Sequence, residues 1–147
     1  MKNREENAVM AFRMGFNCAQ SVITSFKAVT NLSDQDAVSI TSGFGGGMGM
    51  MQQVCGAVTG AYMVLSMHAG KMYEDNTRRK AEAEKLIKAY TGEFLKIHGT
   101  TMCNTLIPHD LNNPEEVKKA REKALFEKVC EKCIADSVSI LEKLTCS

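Results

Sequence analysis

The feature that most constrains this chain is a stretch that is apolar on nearly every side of a helix. It runs from about Gln52 to His68 and is closed by Gly70. A helix of this kind has no face to offer water, so it is expected at the centre of the fold. Gly56 and Gly60, four residues apart, share one face and let another backbone approach closely. The most apolar window, Val54 to Met67, is interrupted by Gly, Thr and Ser and falls short of the roughly 20 residues of a membrane span.

The remaining punctuation is also helical. Glu6 to Met14 reads as a short helix stopped by Gly15. Asn17 is an N-cap for a second helix to about Thr30, with Val22, Ile23, Phe26 and Val29 on one face. Ser33-Asp34-Gln35-Asp36 opens a third, ending near Gly43. Asp75 or Asn76 opens a long charged helix to His98, ended by Gly99, with Leu86, Ile87, Tyr90, Phe94 and Ile97 as its buried stripe. Thr101 to Ile107 suggests one short turn stopped by Pro108, and Asn113-Pro114-Glu115-Glu116 is a strong helix start. A last helix spans Cys130 to Leu144. No segment alternates as a strand would, and no repeat is visible. The expectation is an all-α fold, a single domain over residues 1–147 built as a compact bundle of about five to seven helices.

Composition removes several function classes. With 18 Lys+Arg against 17 Asp+Glu the chain lacks the basic excess of a nucleic-acid binder. It has no Trp and only 6% aromatic residues, few platforms for base stacking. Met1 to Glu6 carries two acids and leads into no signal-peptide core, so a soluble cytoplasmic protein is expected. In a reducing cytosol the six cysteines point to catalytic, redox or metal chemistry rather than structural disulfides.

Four of those cysteines share a context. Cys18 follows the N-cap Asn17, Cys55 lies just after a glycine-rich loop, Cys103 starts the short helix and Cys130 starts the last one. The first turn of a helix has unpaired N–H groups and the positive end of the dipole, a setting that favours thiolate. Convergence of the four starts would make a pocket of activated sulfurs. The plain alternative is that each cysteine is a small buried hydrophobe. Cys130-Glu131-Lys132-Cys133 puts two sulfurs on one helical face, without the βαβ surroundings of a thioredoxin-like motif. Cys146 is next to last and is assigned no role.

The loop Gly43-Phe44-Gly45-Gly46-Gly47-Met48-Gly49 fits neither the dinucleotide nor the Walker pattern. It is either a tight connection between packed helices or a place where backbone approaches a ligand, with Gly45, Gly46, Gly47 and Gly56 as the contacting positions. The ten methionines, Met48, Met50 and Met51 among them, are expected to fill core gaps rather than bind Cu(I). His68 and His98 fall in last helical turns, where bonding to carbonyls is ordinary, and His109 falls in a loop. Nothing in the linear sequence resembles a Ser-His-Asp set or a paired-carboxylate site.

The segments Gly15-Phe16-Asn17-Cys18-Ala19-Gln20, Ser42 to Gly49, Val54-Cys55-Gly56-Ala57-Val58-Thr59-Gly60-Ala61, His98 to Cys103 and Leu125 to Cys130 together resemble the C-GCAxxG-C-C family. One departure is that glycine follows Cys55, as Gly56, rather than preceding it. The resemblance implies a small, mostly helical, bacterial or archaeal cytoplasmic protein with redox-active cysteines. By position Cys18, Cys55, Cys103 and Cys130 are the family's cysteines, and Cys133 and Cys146 are extras.

Two chemistries follow. In the first, a low-pKa thiolate among Cys18, Cys55, Cys103 and Cys130 attacks an oxidised partner, a redox protein or a small-molecule disulfide, and a neighbour resolves the mixed disulfide. In the second, the same four cysteines are metal ligands for an iron–sulfur cluster or another soft metal. Nucleic acid and membrane are not expected partners; a homodimer is compatible with the apolar helical surface.

Overall fold

Helix starts follow the capping residues. In the computed structural model, which describes residues 3–146, Asn3 caps α1 (Arg4–Arg13) and Asn17 caps α2 (Cys18–Thr24). A short α3 (Lys27–Thr30) follows, and Ser33 then caps α4 (Asp34–Thr41). The central helix is α5 (Gly56–Met72), and Asp75 caps the long α6 (Asn76–His98). After the single turn α7 (Cys103–Leu106), Asn113 caps α8 (Pro114–Glu122), with Pro114 in the first turn. A π-helical turn, Phe126–Cys130, runs directly into α9 (Glu131–Thr145). Met1 and Lys2, part of the stretch read for a signal core, lie outside the described residues, as does Ser147.

The chain is all-α. Nine α-helical segments occur among the described residues, more than the five to seven expected, because two are single turns of four residues. One of these arises where the second helix, expected to reach Thr30, breaks at Ser25 and Phe26 and restarts at Lys27.

α5 is central, packing against α2, α3, α6 and α9. Its Ala57, Val58, Ala61, Val64, Leu65 and Ala69 are fully enclosed. Two details of the expectation need correction. The helix starts at Gly56 rather than Gln52, because Gln52 has a left-handed backbone and Gln53 to Cys55 is held against the segment before α7: Cys55 N–H donates to Thr101 O at 2.8 Å and Cys103 N–H to Gln53 O at 2.7 Å. It also runs through Gly70 to Met72, since right-handed helical glycine costs only about 1 kcal/mol relative to alanine.

The α6 stripe is real for Leu86, Tyr90 and Phe94, whereas Ile97 is 50% exposed. Most methionines do not fill the core: Met10, Met14, Met50, Met51, Met67 and Met72 are exposed, Met63 packs half-buried against the core, and aliphatic and aromatic side chains supply the interior. Among the described residues no helix is long and apolar enough to cross a membrane.

Candidate functional site

A cavity of about 570 Å³ lies where α2, α5, α7 and the π turn meet, and five sulfurs line it: Cys18, Cys55, Cys103, Cys130 and Cys133. The expected four are therefore gathered, together with a fifth that was read as an extra. Cys146 is exposed at the end of α9 and is not among the residues lining this cavity.

Local structure explains the convergence. Cys18 opens α2 because Asn17 makes a reciprocal capping box with Gln20, at 2.8 and 2.9 Å, while its Nδ2 donates to Thr41 O and Ser42 O. That amide ties the start of α2 to the glycine loop. The pairing of Gln52–Cys55 with Thr101–Asn104, marked by an isolated antiparallel bridge between Val54 and Met102, sets Cys55 opposite Thr101 and Cys103 opposite Gln53, and both cysteines line the cavity. Cys130 and Cys133 enter from the π turn and the first turn of α9, which Arg13 of α1 pins by a two-point ion pair with Glu131.

The glycines are the means of this close approach. A Cβ on Gly47, whose φ is +71°, would lie 2.6 Å from Cys103 Cβ and 2.7 Å from the Gln53 nitrogen. One on Gly56 would lie 2.9 Å from Phe44 O and 3.0 Å from Cys18 Cβ. Gly45, Gly46, Gly47 and Gly56 all line the cavity, so the tight connection is also part of its wall.

The helix-start argument for activated sulfurs holds at one position. Cys55 is the N-cap of α5; its side chain makes no capping hydrogen bond, and the groups that act on its sulfur are the Cys133 thiol and the Ala57 and Val58 amides. The Cys133 hydrogen bond and then the amides hold Cys55 below the ordinary thiol range, against the opposing effect of burial. The other cysteines with a resolved shift move the opposite way. Cys18 is pushed up because it donates its hydrogen bond to Cys130 and is enclosed. Burial, followed by the neighbouring Cys55 and Cys130, pushes Cys103 up to about 12. Cys133 is raised by donating to Cys55 and by burial. Cys130 does not sit at a free helix start, because the π turn continues into α9 and Glu131 N–H is bonded back to Phe126 O. The thiols thus act on one another in two pairs, Cys18 with Cys130 and Cys55 with Cys133.

His98 lies in the last turn of α6, as expected, but it faces a carboxylate and a thiol rather than bonding a carbonyl. It ends α6 and its side chain is 8% exposed. Its Nε2 lies 2.9 Å from Asp136 Oδ2, and its Nδ1 lies 3.8 Å from Cys133 Sγ. Desolvation, with Lys132 adding to it, holds the imidazole below its usual value despite Asp136. The signal available in the sequence was the i, i+3 spacing of Cys133 and Asp136 on one helix face. His109, the loop histidine, is bonded to Glu116 and Lys123 instead.

Residues 16–144 match the family described as "Putative redox-active protein (C_GCAxxG_C_C)". The chain belongs to this family. A protein of Archaeoglobus fulgidus, described as an uncharacterized protein, is 27% identical over 114 residues, covering 72% of this chain and 76% of that protein. No solved structure matches the chain. Among the described residues no group of three or more His, Cys, Asp or Glu side chains is arranged to hold a metal ion.

Proposed function

We propose that this family member is a thiol–disulfide exchange protein in which Cys55 attacks and Cys133 resolves. The observation that carries the reading is the placement of Cys55 at the N-cap of α5, on the wall of a cavity that Cys133 and three further cysteines also line. A thiolate is the nucleophile in exchange, and a partner thiol within hydrogen-bond reach is placed to complete it. Cys55 S⁻ adds to one sulfur of a disulfide RSSR and expels RS⁻. Cys133 then displaces the second RS⁻, leaving a Cys55–Cys133 disulfide. The substrate gains two electrons and the protein dithiol loses them; a dithiol reductant restores the starting state.

A volume of about 570 Å³ suits a small-molecule disulfide, which is the preferred substrate class over the disulfide of a partner protein. Iron–sulfur or soft-metal binding by Cys18, Cys55, Cys103 and Cys130 is the competing use of the same sulfurs, and two thiol pairs support it less well than they support exchange. Purification without oxygen, metal and sulfide analysis, and a disulfide-reduction assay test the reading together. The expected result is a colourless protein that reduces the disulfide and loses at least about 100-fold in rate as Cys55→Ser. Stoichiometric iron and sulfide, or an unchanged rate in Cys55→Ser, contradicts it.

A further inference from the structure

We infer that His98 is the proton acceptor for Cys133 and that Asp136 is the residue positioning it, so that α6 and α9 supply a Cys-His-Asp relay to the exchange site. The inference rests on the Cys55–Cys133 reading and adds two residues to it.

The geometry runs in one line. Asp136 Oδ2 accepts from Lys132 Nζ at 2.7 Å and faces His98 Nε2 at 2.9 Å. A carboxylate can only accept, so Nε2 carries the proton and Nδ1 presents its lone pair. That lone pair faces Cys133 Sγ at 3.8 Å, within range for a sulfur hydrogen bond. The ring is fixed from the side by Phe94, with centroids 4.5 Å apart. The groups acting on it are Asp136 and Lys132 on one nitrogen and Cys133 on the other, all from α9.

The arrangement gives the thiol two successive acceptors. In the reduced protein the Cys133 thiol has two neighbours able to accept its proton, the Cys55 sulfur and His98 Nδ1. Once Cys55 is capped as a mixed disulfide its charge is gone, and the same S–H has His98 Nδ1 as its remaining acceptor. Cys133 then attacks the Cys55 sulfur: the Cys133–Cys55 bond forms, the Cys55–SR bond breaks, and the electron pair leaves with RS⁻. The proton passes from Cys133 to Nδ1 and from there to the departing thiolate as RSH. The imidazolium formed in between is favoured by Asp136 and by its place at the C-terminal end of α6.

The test separates the two steps in the intact chain. Reduced protein is mixed with one equivalent of a symmetrical aromatic disulfide, quenched in acid at intervals, and digested for mass spectrometry. The peptides counted carry either the Cys55–probe adduct or the Cys55–Cys133 disulfide. In the native chain the adduct is transient. In His98→Gln it is expected to form within about twofold of the native rate and to persist at least about tenfold longer near pH 7, the lower end of what a positioned base supplies. The gap closes as rising pH ionises Cys133 without help. In Asp136→Asn the imidazole loses its anionic partner, so the pH midpoint of the resolving step moves down, and Asp136→Glu restores it in part. Resolution at the native rate and with the native pH profile in both His98→Gln and Asp136→Asn overturns the relay alone. Absence of any probe on Cys55 overturns the exchange reading and the relay with it.

Discussion

Cys55 stands where a capping oxygen stands elsewhere in the chain. Asn3, Asn17, Ser33, Asp75 and Asn113 each accept a first-turn amide at the start of a helix, whereas Cys55 holds the N-cap position of α5 without a side-chain capping bond. A thiolate in that place gains from the positive end of the helix dipole. Two outcomes are expected. At pH 7 Cys55 is alkylated at least about tenfold faster than Cys103, which burial holds protonated, and timed labelling with peptide mapping measures the ratio. Cys55→Ser loses the chemistry while thermal unfolding shows stability kept within about 1 kcal/mol, because serine is itself a good N-cap. The four family cysteines were legible at this scale from their helix-start context. The roles of Cys133 and His98 were not, because their contact spans 35 residues and joins two helices whose packing no spacing encodes. The direction of the thiol shifts was equally hidden: the Cys130 interaction and then burial at Cys18, and burial at Cys103, override the dipole, and both are tertiary properties.

Close approach between elements is what builds the cavity. α2 crosses α5 over Gly56 and Gly60, and a Cβ on Gly60 would lie 2.9 Å from Ala19 O and 3.1 Å from Ala19 Cα. Gly60→Ala gains helix propensity of about 1 kcal/mol and is expected to lose more by overpacking, for a net cost of about 1–2 kcal/mol in urea unfolding. The glycine face was legible in the i, i+4 spacing. The start of α5 was not: Gln52 to Cys55 shares the apolar run of the helix but pairs with Thr101–Asn104, a partner nearly fifty residues away. Gln52 also clamps the connection to α8, its Nε2 donating to Ile107 O and His109 O and its Oε1 accepting from Leu111 N–H. Gln52→Ala is expected to raise amide hydrogen exchange at residues 107–113 at least about tenfold, with α5 unaffected.

Over the whole molecule, one cluster of protonated thiols ties stability to pH. Cys18, Cys103 and Cys133 are all raised in the fold, and so is the buried Tyr90. Unfolding lets the thiols ionise at their ordinary value near 9.0, so above that pH the unfolded chain holds fewer protons than the folded one. Stability is therefore expected to fall as pH rises from about 9 towards 12. Cys55 has the opposite sign: its lowered value contributes stability at high pH that is lost as pH falls through the folded value. Urea midpoints at pH 7.5 and 10 check the balance, with a smaller alkaline drop expected in Cys103→Ala. The all-α class was legible because capping residues and glycine stops are local signals, whereas the gathering of five sulfurs from four parts of the chain is set by packing. The most direct test of the account is the disulfide map of the full-length chain after oxidation by one equivalent of a small-molecule disulfide. The account predicts a Cys55–Cys133 linkage as the main product, and a map in which Cys55 stays a free thiol or pairs with another cysteine contradicts it.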